Sequence, residues 1–132
     1  MADQGRTSGE AVDLQAVADE LLTQASGEHS RRAARTLPSS TDGLRHTMIA
    51  LLAGSELQEH NSPPGPAVLL MLRGNARLVA GDEVVALRPL QHVAIPPARH
   101  SLEADDDTVV LLSVVLLPPS ERSAGDAAPR DQ

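Results

Sequence analysis

The stretch AVLLMLRGNARLVAGDEVVALRPL, residues 67–90, decides the fold. Its runs of Val, Leu, Ala and Met are cut by Gly74-Asn75 and Gly81-Asp82, dipeptides that favour tight turns, and no run is long enough for a typical helix. Short apolar segments punctuated about every 8–12 residues read as an all-β domain. The same rhythm extends in both directions. It predicts strands near 45–53, 55–60, 67–73, 76–80, 83–88, 92–95, 99–104 and 108–117, with a solvated hairpin turn at Asp105-Asp106-Asp107. Val68 to Leu72 and Val109 to Leu117 are apolar at consecutive positions, so both faces of these strands should be covered. One face lines a barrel interior and the other meets a helix or a second subunit.

Upstream, Leu14, Val17, Ala18, Leu21 and Ala25 recur at helical spacing. They predict an amphipathic helix over 8–26, with Thr7 and Glu10 as a capping box, Gly27 at the C-terminal cap, and Asp13, Asp19 and Glu20 on its polar face. His29, Arg31, Arg32 and Arg35 then form a basic loop, read as a solvated surface, with an anion or acidic-partner site as the minor reading. Beyond Pro118 the chain turns to Pro, Ser, Ala, Gly and charge, which cannot bury enough surface to offset the entropy of ordering. The expected organisation is a helix and basic loop over 1–42, a barrel over 43–117 and a disordered tail over 118–132.

Composition narrows the function. With 132 residues the chain holds one core, and no stretch approaches the roughly 20 apolar residues of a membrane-spanning helix. No basic, apolar leader opens it and it has no cysteine, so a cytoplasmic address is the default expectation. A net charge of −7 argues against a nucleic-acid partner, and the acidic helix argues against a membrane surface. Phe, Tyr and Trp are absent, leaving no aromatic platform for a base, a sugar or a flavin. The core must be filled by aliphatic side chains and Met, which suits a narrow barrel.

The pattern Gly54-x5-His60-x-Ser62-x4-Ala67-x6-Gly74 resembles the first cupin motif, in which Gly, His, His, Glu and Gly stand at these intervals. After a 15-residue gap, Leu90-x5-Pro96-x-Ala98-x-His100-x3-Ala104 resembles the second, one residue shorter before the histidine. The resemblance covers 43–117 and implies a small single-domain cupin, a jelly-roll β-barrel of the RmlC-like kind (the cupin double-stranded β-helix), preceded by one helix. It also implies a lumen where three histidines and a glutamate hold iron, manganese, nickel or zinc. Here only His60 and His100 match those ligands; Ser62 and Ala67 stand for the second histidine and the glutamate. A hydroxyl is a weak donor and a methyl is none, so any divalent metal is expected to be weakly held.

Other residues bear on the lumen. Strand alternation puts Gln58 on the face of His60, and Arg73 on the inward face with Ala67, Leu69 and Met71, where its guanidinium would reach a ligand anion at the barrel mouth; a surface salt bridge is the plainer reading. His46 and His92 read as half-buried hydrogen bonders, and Arg99 as outward-facing. No phosphate loop, nucleophile elbow, dinucleotide fingerprint or calcium loop is present. The leading expectation is a homodimeric, non-catalytic cupin that holds a small molecule against His60, His100, Gln58, Ser62, Arg73 and Met71. Two others stand beside it: a metal-dependent oxygenase or isomerase using His60 and His100, and a structural or regulatory protein-interaction module.

Overall fold

A computed structural model describes residues 11–59 and 65–116. Thr7, Glu10, His60, Ser62 and the tail beyond Leu116 lie outside them. The described chain is one helix, α1 (Leu14–Ser26), followed by nine strands: β1 (Arg32–Thr36), β2 (Leu44–Leu51), β3 (Glu56–Glu59), β4 (Ala67–Arg73), β5 (Ala76–Ala80), β6 (Glu83–Leu87), β7 (His92–Ala94), β8 (His100–Ala104) and β9 (Thr108–Val115). They form an antiparallel five-stranded sheet in the order β1-β2-β9-β4-β7 and a four-stranded sheet in the order β3-β8-β5-β6. The two sheets face each other as a jelly-roll barrel. Among the described residues no helix is long and apolar enough to cross a membrane.

The consecutive apolar positions of β2 and β9 are explained by two cores, one on each face of the larger sheet. Ile49, Leu51 and Val110 point into the lumen with Leu69, Met71, Ala76, Leu78, Leu87, Leu102 and Ala104. Their neighbours Met48, Ala50 and Val109 point the other way, where Val17, Ala18, Leu21 and Ala25 of α1 cover them. The helix starts at Leu14 rather than at residue 8. Asp13 is not a face residue but the N-cap, its carboxylate accepting from Gln15 N at 3.0 Å and Ala16 N at 3.2 Å. That satisfies two of the amide groups every helix start leaves without partners. Gly27 ends the helix as expected.

The basic segment predicted as a loop contains β1, paired from Arg32↔Leu51 to Thr36↔Thr47. Its sequence hides this because only Ala33 is buried, against α1. The arginines are not simply solvated: Arg35 pairs with Glu20 of α1 at 2.9 Å, and Arg32 Nη1 donates to the Glu56 carbonyl of β3 at 3.0 Å.

A second correction concerns the turns. Gly81-Asp82 closes the β5–β6 hairpin, but Asp105 to Asp107 joins β8 of one sheet to β9 of the other, and Gly74-Asn75 likewise carries β4 across to β5. The two crossovers are tied together. Asn75 Nδ2 donates to Asp106 Oδ2 at 2.6 Å, Asp105 N and Thr108 Oγ1 donate to the Asn75 carbonyl, and Asp107 Oδ1 accepts from Ala53 N at 2.9 Å. The acidic run is thus a corner clamp. Gly74, at φ +81°, sits so close to it that an added Cβ would collide with the Asp107 carbonyl oxygen and approach Thr108 Oγ1 to 2.7 Å.

Gly81 also has a positive φ, +61°, but open space around it. Gly81→Ala should therefore cost only the left-handed backbone penalty of about 1–2 kcal/mol. Gly74→Ala should cost clearly more, since backbone atoms of the second crossover must move. Chemical denaturation followed by circular dichroism measures both, and equal losses would contradict the corner contact.

Candidate functional site

The lumen is built from inward positions of both sheets, and His100 is its polar group among the described residues. β8 alternates buried and half-buried positions from His100 to Ala104, and its inward residues are His100, Leu102 and Ala104. His100 is about nine-tenths buried and borders a cavity of about 30 Å³. Ile49, Leu57, Leu69, Leu78, Ile95, Leu102 and Leu112 complete its wall. Such a volume admits a water or two, well short of the several hundred Å³ of a drug-sized pocket.

One ring nitrogen is committed. His100 Nδ1 lies 2.8 Å from the Ala98 carbonyl oxygen. A carbonyl only accepts, so Nδ1 carries the proton, and in the neutral ring Nε2 keeps its lone pair. The same anchoring orients imidazoles that serve as ligands or acceptors elsewhere.

The other sequence candidates are placed as follows. Met71 is wholly buried in the lumen core, packed as filler rather than exposed to the cavity. Gln58 does not face inward. The pairing Leu57↔Leu102 turns Leu57 into the lumen, and Gln58 is exposed, donating to Glu56 Oε2 at 2.7 Å. Arg73 is likewise not at the barrel mouth. The register slips between Met71 and Arg73, and this bulge reverses the facing that strict alternation assigns. Arg73 instead reaches α1 on the outer face, pairing with Asp19 at 2.8 Å and donating to the Gln15 carbonyl at 3.2 Å.

His46, on the helix side of β2, shares a 2.7 Å hydrogen bond with Ser113. His92 and Arg99 are exposed. His60 and Ser62 lie outside the described residues, so the meeting of His60 with His100 is not among the contacts seen. The register does supply a feature that motif reading overlooked: Glu59 is the residue paired with His100.

Sequence reading also missed a groove of about 230 Å³ between the edge strands β1 and β3, lined by Ser30, Arg32, Ala33, Ala34, Ile49 and Leu57. Ile49 and Leu57 belong to both the groove and the lumen cavity, so they form the partition between them. Its signal was the strand hidden in the basic segment.

Comparison with solved structures assigns the architecture. A cupin superfamily protein from Desulfitobacterium hafniense matches with a TM-score of 0.63 at 15% identity, over 86% of this chain and 97% of its own. The chain has a cupin fold. A conserved protein of unknown function from Streptococcus pyogenes matches this chain at 25% identity and a TM-score of 0.61, over 87% and 94% of the two chains. A salicylate 1,2-dioxygenase from Pseudaminobacter salicylatoxidans matches at 18% identity and a TM-score of 0.64, over 86% of this chain and 35% of that one. No family model and no curated protein sequence matches the chain.

A divalent metal of the kind the cupin resemblance implies would need several donors beside His100. Among the described residues no three His, Cys, Asp or Glu side chains converge as a metal site, and the wall around His100 is aliphatic. These residues do not by themselves fit a divalent ion, which needs several hard or borderline donors.

Placement of Arg73 on the outer face has a measurable consequence. The side chains of Arg73 and Asp19 are 35% and 71% exposed, so the pair is well screened. Arg73→Met, which keeps the apolar stem, should shift unfolding free energy by less than about 1 kcal/mol. It should also leave any lumen ligand's affinity unchanged in calorimetric titration; a large affinity loss would return Arg73 to the barrel mouth.

Proposed function

We propose that this cupin is a binding protein for a small, mostly apolar molecule with one hydrogen-bonding group, held against His100 in the lumen. The observation that carries this reading is an oriented imidazole in a cavity whose other described lining residues are aliphatic. Convergence of a polar group and apolar walls is the usual mark of a ligand site. Nε2 supplies an acceptor for a hydroxyl or an acid proton, and Leu and Ile side chains take the hydrocarbon body. The small cavity volume limits the ligand unless Ile49 or Leu57 yields, in which case the β1–β3 groove extends the space toward Arg32. Binding rather than catalysis is favoured because the described wall offers no second proton-transfer group to work with His100.

A panel of short-chain alcohols and carboxylic acids tests the reading by thermal melting followed by circular dichroism. A molecule present at about a hundred times its dissociation constant adds about 2.7 kcal/mol to the folded state, which raises Tm by several degrees. The expected result is a stabilising probe whose effect disappears in His100→Leu and grows in Leu57→Ala, where the partition is cut down. No stabilising probe, or one indifferent to His100→Leu, would sink it.

One observation favours a metal-dependent reading: the register pairs a carboxylate residue, Glu59, with an imidazole whose Nδ1 is already anchored. The match to a salicylate 1,2-dioxygenase, which covers 35% of that chain, supports an enzyme reading of this architecture. Elemental analysis of protein purified without an affinity tag separates the two. Stoichiometric iron, manganese, nickel or zinc, lost in His60→Ala/His100→Ala and reduced in Glu59→Gln, supports the metal reading; metal-free protein supports the binding reading.

A further inference from the structure

The β6 strand closes one side of the four-stranded sheet, and among the described residues no strand pairs with its outer edge. It is a short apolar run, Glu83-Val84-Val85-Ala86-Leu87, in which Val84 is 57% and Val85 39% exposed. An apolar edge strand without a proline, a bulge or a central charge is a template for another strand. The opposite edge strand of the larger barrel sheet, β1, is treated differently: its arginines reach to α1 and β3.

We propose that β6 is the site where a second copy of this chain adds, the two β6 strands pairing antiparallel about a twofold axis at Val85, so that two four-stranded sheets become one of eight strands. Two independent features fit that register. The first is hydrogen-bond parity. The β5–β6 hairpin is closed by the two-residue turn Gly81-Asp82, with Gly81 at φ +61°, so Ala80↔Glu83 exchanges both backbone bonds, as do Leu78↔Val85 and Ala76↔Leu87. The N–H and C=O groups of Val84 and Ala86 are therefore those directed at the free edge. A twofold at Val85 sets Val84 opposite Ala86 of the second copy and Ala86 opposite its Val84, making two mutually bonded pairs.

The second feature is charge. The same register sets Asp82 opposite Arg88 of the second copy, and Arg88 opposite its Asp82, one pair at each end of the joined strands. Both residues are exposed, and neither forms an ion pair among the described residues. Shifting the axis to Val84 or Ala86 preserves the bonding parity but separates these charges. The edge is thus self-complementary in one register, as an isologous contact must be.

Sedimentation velocity over a wide concentration series tests the proposal, with melting curves to confirm that each variant folds. Wild-type protein is expected to dimerise. Val85→Lys sets like charges across the twofold and should weaken the dimer at least about tenfold. Asp82→Arg and Arg88→Asp should each weaken it, and the double variant Asp82→Arg/Arg88→Asp should recover it, because the swapped charges again pair. The proposal is overturned if wild type is monomeric throughout, or if the double swap associates no better than either single variant. It is equally overturned if the dimer tolerates Val85→Lys yet is lost with Val68→Arg, which lies on the outer face of β4 and is 40% exposed in the wild type.

Discussion

The structure depends on the pairing of β2 with β9 along eight residues, from Leu44↔Val115 to Leu51↔Thr108, with both faces of its centre removed from water. Ile49 and Val110 face the lumen while Met48 and Val109 face α1. A sheet buried on both faces needs a cover on each, and this explains why a chain of this size carries both a barrel and a helix. It also explains why the helix docks where it does, on β1 and β2, since the residues that need covering lie there.

Absence of aromatic side chains sets the scale of the interior. Apart from His100, the described lumen positions are filled by Leu, Ile, Val, Met or Ala, which interdigitate closely enough to leave a cavity of about 30 Å³. The ring of His100 in that wall is held by a backbone carbonyl two residues away in its own segment. The site is therefore narrow. A route to greater volume among the described residues is the partition formed by Ile49 and Leu57, where the two sheets part between β1 and β3.

The two crossovers show how the barrel turns its corner without long loops. Gly74 brings one crossover against the other, and Asn75, Asp106, Asp107 and Thr108 supply the hydrogen bonds that hold them. What looks in the sequence like a solvated acidic run is a set of acceptors: Asp106 and Asp107 for amide groups, Asp105 for the Arg77 guanidinium. Local bonding by Asp and Asn to backbone is the reason these residues mark such corners.

Short apolar runs broken by Gly, Pro, Asn and Asp were enough to place eight of the nine strands within about two residues, because burial and turn chemistry leave local marks. The sequence by itself determined the all-β barrel, the helical stripe and the aliphatic interior. It could not show β1, whose residues are arginines with one buried alanine and whose strand character comes from pairing with β2. Nor could it show that Gln58 faces solvent, that a bulge turns Arg73 onto the helix, or that Glu59 pairs with His100. Those are matters of register, and a slip of one residue reverses every facing in a strand while leaving its composition untouched. Only the tertiary structure decided them, because register is set by the partner strand, which is distant in the chain.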